Sequence, residues 1–183
     1  MSIRLLSSLL LLLLSGTAVR ATSVRAIELD ELVGGSYQIF LGRVVAIDQG
    51  TVPGFHRPYV QYTFAVSDWV KGGSGQTLQI RQLGRSGVAL LPGLPVYKKG
   101  QETLLFVHKP SAIGLTSPVG MQQGLYPVEK DSAGERYVRL GPMRPSVERL
   151  RSRLSPARSP SKEAPVQDRI PLDDFLSLVR QAR

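Results

Sequence analysis

The sequence predicts a mainly β protein: a small antiparallel barrel with a short amino-terminal helix and, after a linker, a carboxy-terminal amphipathic helix. About five or six apolar or alternating segments lie between residues 37 and 140, a number typical of a small closed or partly open barrel. Glycine, proline and polar residues separate these segments. No helical pattern alternates with them, as a parallel sheet would require, so neighbouring strands are expected to run antiparallel.

The first elements of the barrel are a helix and a long strand. Residues 26–33 carry apolar side chains at helical spacing, and Gly34 ends the pattern. Residues 37–47 are apolar at nearly every position and rich in β-branched side chains, which favours a central strand. Gly42, inside that strand, predicts a bend or bulge where the sheet coils towards a barrel.

A half-buried strand follows, with the clearest alternation in the chain. Its apolar face consists of Val60, Tyr62, Phe64 and Val66. Trp69 lies out of this register, which predicts a bulge near Asp68 and a tryptophan that anchors the core. Residues 71–75 supply the small residues of a reversing loop, and residues 76–83 are expected to pair with the preceding strand.

Residues 84–100 form a long predicted loop with the apolar centre Val88-Ala89-Leu90-Leu91. This centre either folds back over the core or stays exposed, and the exposed arrangement would be a binding surface. Further strands are expected at residues 103–108, 123–128 and 137–140. Pro127 places its strand at a sheet edge, because proline cannot donate a hydrogen bond to a neighbouring strand.

The composition changes at Gly141, which separates a barrel domain at residues 22–140 from a tail. Residues 141–169 are a basic linker rich in proline, serine and arginine, with a short helix predicted from Pro145. Residues 170–183 are expected to form an amphipathic helix that either docks on the barrel or waits for a partner. Its apolar face consists of Leu172, Phe175, Leu176 and Val179.

Residues 1–21 have the three parts of a secretory signal peptide. Arg4 precedes the apolar run from 5 to 14, and Val19 and Ala21 occupy the positions that a signal peptidase recognises. We therefore expect cleavage after Ala21 and a mature protein in the periplasm or outside the cell. The apolar run is too short to span a bilayer and no later run approaches that length, so no transmembrane segment is expected in the mature chain.

The chain has no cysteine, two histidines and a formal net charge of +9. The lack of cysteine excludes thiol catalysis, thiolate metal sites and disulfides. His56 and His108 lack metal-ligand spacing, and neither a serine-nucleophile elbow nor a phosphate-binding loop is present. The spacing of four carboxylates does not exclude a catalytic pair for glycoside hydrolysis, although each of them lies beside a turn or strand end. These carboxylates are Asp48, Asp68, Glu102 and Glu129. We expect no enzyme, no cofactor and no metal.

Positive charge is concentrated in the tail, where residues 141–183 hold nine basic and five acidic side chains. In an exported protein such a segment is expected to meet a protein or an anionic envelope component, and no nucleic acid is expected as a partner. The predicted contact residues are Arg149, Arg151, Arg153, Phe175 and Val179.

Three blocks of residues resemble the netrin-like barrel of tissue inhibitors of metalloproteinases. The blocks are Leu32, Ser36, Ile39, Gly42 and Val44; Tyr62, Phe64, Val66, Val70, Lys71 and Gly72; and Lys99, Gly100, Leu104, Leu105 and Phe106. The pattern is also similar to exported bacterial proteins of uncertain role built on that plan. The resemblance covers roughly residues 27–140 and implies an OB-type barrel, whereas a shared fold does not fix an activity.

The leading hypothesis from the sequence is an exported, non-catalytic binding or envelope-associated protein. The resemblance implies protease inhibition as an alternative. The animal inhibitors bind the catalytic zinc of the protease through an amino-terminal cysteine, whereas the mature terminus predicted here is Thr22. A second alternative is oligonucleotide binding, in which Tyr59, Tyr62 and Phe64 would stack on bases.

Overall fold

A computed structural model describes residues 25–154 and 168–183, so the predicted signal peptide and residues 155–167 of the predicted linker lie outside the described residues. The helices are α1 (Leu29–Gly35), α2 (Arg144–Leu154) and α3 (Leu172–Gln181). Two short 3-10 helices cover Met121–Gly124 and Gly141–Met143. The strands are β1 (Gln38–Thr51), β2 (Pro58–Lys71), β3 (Thr77–Arg85), β4 (Val88–Ala89), β5 (Glu102–Val107), β6 (Leu125–Pro127), β7 (Glu129–Lys130), β8 (Arg136–Arg139) and β9 (Arg169–Pro171).

Six strands form a curled antiparallel sheet in the order β4-β3-β2-β1-β5-β6. The 14-residue β1 is central, because it pairs with β2 along nearly its whole length and with β5 along its first half. A 2.9 Å hydrogen bond from the Thr116 amide to the Arg81 carbonyl joins the loop after β5 to β3. The sheet is therefore a half-barrel, and the predicted mainly β fold with a small OB-like barrel is confirmed.

The bend in the sheet is produced by bulges between β1 and β2. One shift of register falls between Leu41 and Gly42, and it skips residue 67 of β2, beside the predicted bulge at Asp68. A Cβ atom at Gly42 would lie 3.0 Å from the carbonyl oxygen of Ala65, which leaves little room for a side chain. Both predicted bulges are confirmed, and they allow a long strand to belong to two faces of a barrel.

Lys71 and Gly72, which carry part of the netrin-like resemblance, connect the end of β2 to α1. The Lys71 ammonium donates a 2.7 Å hydrogen bond to the carbonyl of Val33, near the end of α1. Gly72 has φ +60°, and a Cβ atom there would lie 2.4 Å from the carbonyl oxygen of Tyr37. Lys71 holds the helix against the sheet and Gly72 permits the close approach of the backbone at Tyr37, so both residues have a structural role in this chain.

Alternate residues of β1 and β5 feed two apolar clusters on opposite faces of the sheet. The barrel interior is aromatic: the Tyr97 ring lies 4.7 Å from that of Tyr62 and 5.4 Å from that of Phe64, both edge-on. Trp69 packs beside this interior with its ring 5.6 Å from that of Phe40. The predicted role of Trp69 as a core anchor agrees with this placement.

The second cluster lies between the sheet and the tail. It is covered by α1, α2 and α3 and by a three-stranded sheet in the order β7-β8-β9. Val147 of α2 is buried there, and the Phe175 ring of α3 lies 4.9 Å from that of Tyr126 on β6. The carboxy-terminal helix therefore docks on the barrel. Within the described ranges, every helix is too short or too polar to cross a membrane.

Candidate binding cleft

The arginine stripe predicted on α2 is divided by the fold. Arg149 pairs with both carboxylate oxygens of Glu28, just before α1. This contact, together with a hydrogen bond from the Ser146 hydroxyl, lowers the pKa of the Glu28 carboxyl. Arg151 is exposed, and the side chain of Arg153 lies outside the described residues. Arg149 therefore links two helices of its own chain.

Phe175 and Val179, predicted to contact a partner, lie elsewhere. Both side chains are completely buried, in the cluster that α3 forms with the sheet. Their helical spacing does mark an apolar face, but that face packs against the sheet of the same chain. Phe175 and Val179 are therefore inaccessible to another molecule while α3 is docked on the sheet.

The titratable residues considered for catalysis are mostly engaged in ion pairs. The pairs are Glu102 with Arg43 and Arg136, Asp68 with Arg180, and Glu129 with Arg139. Hydrogen bonds from Arg139 and Tyr137 lower the pKa of the Glu129 carboxyl. In the described part of the chain, no group of three or more His, Cys, Asp or Glu side chains is placed to hold a metal.

An apolar cleft opens at the end of the sheet where the β1–β2 hairpin turns. Its volume is about 520 Å³. Its lining consists of Val52, Phe55, Arg57, Leu83, Leu90, Leu91, Ile113 and Leu115. Three chain segments build it: the hairpin tip, the β3–β4 region, and the loop after β5. Seven of these eight side chains are apolar, which is the usual character of a ligand site.

The hairpin tip is a fixed platform for Phe55. The Val52 amide donates to the Arg57 carbonyl at 2.9 Å, and the Phe55 amide donates to the Val52 carbonyl at 3.2 Å. Gly54 and His56 adopt left-handed backbone conformations with φ +77° and +49°. This tight turn leaves the Phe55 side chain 62% exposed, although a phenylalanine in a stable loop would normally turn inward.

The other two walls of the cleft are tied to the sheet. The Ser86 amide donates to the side-chain oxygen of Gln49 at 3.0 Å, which fastens the β3–β4 turn to β1. The Leu115 amide donates to the Ser111 hydroxyl, and the Ser111 amide donates to the Leu115 carbonyl. Each wall is therefore held by hydrogen bonds, while its large apolar side chains face outward.

Four large apolar side chains that line the cleft are 41–62% exposed, and Val88, two residues before Leu90, is 60% exposed without lining it. We call these five residues the cleft rim. The cleft rim consists of Phe55, Val88, Leu90, Leu91 and Ile113. Of the two arrangements that the sequence left open for residues 88–91, the exposed one is observed. A contiguous exposed apolar patch on a protein marks an interaction site more often than scattered single residues do.

The charge at the cleft is positive. Arg57 lines it and has no ion-pair partner among the described residues. Arg81 lies nearby, where its guanidinium sits 5.3 Å from the ring centre of Tyr59 and donates to the Gln61 side chain at 2.7 Å. Residues 49–61, 81–100 and 108–118 contain no Asp or Glu. The cleft therefore favours a ligand that is apolar and negatively charged.

The sequence signalled only one of the three walls. Residues 88–91 are an apolar run inside a glycine- and proline-rich loop, and that contrast identified them. Phe55 and Ile113 each stand alone between turn residues, so neither forms a pattern that predicts a site. Their convergence depends on the curl of the sheet, which brings the loop after β5 against β3.

Comparison with known proteins gives no family for this chain. No protein-family model matches it, and no curated protein matches its sequence.

Proposed function

We propose that this is an exported, non-catalytic binding protein whose ligand site is the apolar cleft. The observation that carries the proposal is the cleft rim: four large apolar side chains from three segments line one concavity and are exposed, and the exposed Val88 lies in one of those segments. Leaving such area in water costs free energy that burial elsewhere would recover, at about 25 cal/mol per Å². A fold that keeps this area exposed on anchored loops is consistent with a ligand that covers it.

The direct test is binding of the anionic apolar dye anilinonaphthalene sulfonate to the mature chain, residues 22–183, followed by its fluorescence. Phe55→Ser and Leu91→Ser each remove a large apolar side chain that is about half exposed in the free protein and would be buried by the dye. We expect each to weaken the dye affinity about fivefold. Val45→Ser is the matched control, because Val45 is 40% exposed on β1 and does not line the cleft.

The control variant should bind the dye with unchanged affinity. Arg57→Gln should also weaken binding, because the sulfonate loses a cation that no carboxylate neutralises. If all three cleft variants bind the dye as the unaltered protein does, the cleft is not the binding site. Thermal melts of each variant exclude loss of fold as the cause, and exposed positions are expected to change stability little.

Membership of the netrin-like group is likewise a proposal. The half-barrel and the structural roles of Lys71 and Gly72 support it. Thr22, on which the inhibitor hypothesis depends, lies outside the described residues. Tyr62 and Phe64 are buried, so only Tyr59 of the three aromatic residues considered for base stacking is accessible. The cleft is therefore better supported as the functional element than either alternative.

A further inference from the structure

The cleft rim belongs to three separate segments of the chain, and the cleft between them is open to solvent. Phe55 is at the β1–β2 turn, Val88 follows the β3–β4 turn, and Ile113 belongs to the loop after β5. Small-molecule pockets commonly bury 70–90% of their ligand. The rim side chains are themselves about half exposed, so a small ligand in this cleft would stay largely in water. An extended apolar surface would cover the rim more completely.

The same loops carry cations and lack carboxylates. Residues 49–61, 81–100 and 108–118 hold six Lys or Arg, two His and no Asp or Glu. Every acidic residue of the described chain lies outside these three segments. Arg57 and Arg85 have no ion-pair partners among the described residues, and each is next to a rim position in the fold.

Exposed apolar side chains beside Arg57 and Arg85, in segments without carboxylates, match the chemistry of an anionic lipid interface. Apolar side chains enter such a surface to a depth of about 5–10 Å, where headgroups meet acyl chains. Lys and Arg at that depth are attracted by phosphate groups and by the negative surface potential. An acidic protein would pair with the cations, but it would leave open why the neighbouring exposed side chains are large and apolar.

We propose that the cleft rim docks on an anionic lipid surface, with Arg57 and Arg85 at the level of the lipid phosphates. This inference rests on the proposed function, because it names the partner of the same cleft. The apolar rim side chains insert between the lipids. The three segments contain no carboxylates, which the anionic headgroups would repel. The arginines of α2 are not required for it.

The test is flotation of the mature chain with lipid vesicles of two compositions. One set contains phosphatidylcholine alone, and the other contains phosphatidylcholine mixed with phosphatidylglycerol. We expect binding to the mixed vesicles, weak binding to the neutral ones, and a loss of binding as salt rises, because screening weakens the attraction of exposed charges.

Variants locate the contact. Phe55→Ser and Leu90→Ser should each lower the partition coefficient about tenfold, because each removes a large inserted side chain. Arg57→Gln and Arg85→Gln should each lower it about fivefold, the value of one basic residue at an anionic surface. Val45→Ser and Arg151→Gln are the matched controls, apolar and basic, and both should bind as the unaltered protein does.

Two results would overturn the proposal. The first is loss of vesicle binding in Arg151→Gln with unchanged binding in the rim variants, since the basic tail would then be the contact. The second is no binding to mixed vesicles by a protein that still binds the soluble dye at the cleft. In that second case the cleft remains a ligand site and only the lipid partner is wrong. A protein that binds neither dye nor vesicles would overturn both proposals.

Discussion

Phe175→Ala tests whether the tail is part of the domain. Phe175 is fully buried on α3, its ring lies 4.9 Å from that of Tyr126, and the surrounding cluster includes residues of α1, α2 and both sheets. Truncation of a buried phenylalanine to alanine costs about 3–5 kcal/mol, from lost transfer free energy and the cavity left behind. Typical domains have only about 5–15 kcal/mol of stability, so the effect is large.

The assay is urea unfolding followed by the fluorescence of Trp69, the single tryptophan of the chain. Trp69 lies against the barrel interior, whereas Phe175 lies in the other cluster. If the barrel and tail unfold together, Phe175→Ala should shift the Trp69 transition to lower urea with an unchanged slope. A loss of this size also corresponds to a fall in melting temperature of roughly 10 °C for a domain of this length.

Asp174→Ala is the matched control, because Asp174 is exposed on the same helix. It should leave the Trp69 transition within about 0.5 kcal/mol of the unaltered protein. An unchanged Trp69 transition in Phe175→Ala would refute the reasoning. It would mean that α3 detaches without affecting the barrel, and the terminal helix would again be a candidate for contact with a partner.

Two further predictions concern a turn and a charge. Gly72→Ala should destabilise the protein by more than Gly75→Ala. Both glycines have positive φ, but only at Gly72 would the added methyl group meet a backbone oxygen, that of Tyr37, at 2.4 Å. Urea unfolding of the two variants measures the difference in stability. Glu129→Gln should reduce the loss of stability in acid, because contact with Arg139 lowers the pKa of the Glu129 carboxyl in the folded state.

The pH window of the Glu129 effect follows from the direction of that shift. The carboxylate stabilises the folded state above the ordinary glutamate pKa of about 4.3, and this contribution is lost as the pH falls through the lowered folded value. Melting temperatures of the unaltered protein and Glu129→Gln should therefore converge in acid and separate near neutrality. Glu135→Gln, in the neighbouring turn, is the control. Parallel pH profiles for the Glu129 variant and the unaltered protein would contradict the prediction.

Local patterns predicted most of the secondary structure. The alternation at residues 60–67 lies in β2, with Tyr62 and Phe64 facing inward, and the expected strand after it is β3. Pro127 ends β6, which is an edge strand as expected. The prediction was less accurate at residues 123–128, where a 3-10 turn precedes a strand that starts at Leu125. Short elements are decided by tertiary contacts more than by their own sequence.

The surroundings of the predicted contact residues depend on tertiary contacts that the sequence does not show. An amphipathic helix predicts a buried face but does not say what buries it, and Phe175 and Val179 are buried by this chain. Arg149 faces solvent as a basic stripe predicts, but it also pairs with Glu28, 121 positions earlier, and that contact cannot be inferred from the local sequence. Arg149 and Arg151 are the exposed members of the predicted set among the described side chains, and Arg149 is engaged by Glu28.

The sequence by itself determined the β class, the positions of the bulges and the amphipathic character of the tail, because each depends on residues within a few positions of one another. The tertiary structure alone decided that the tail closes the second core and that Phe55, Leu91 and Ile113 line one cleft. Those contacts join residues far apart in the chain. Their formation depends on how strongly the sheet curls and on which apolar faces pack together. Neither the curl nor the packing can be read from a local sequence pattern.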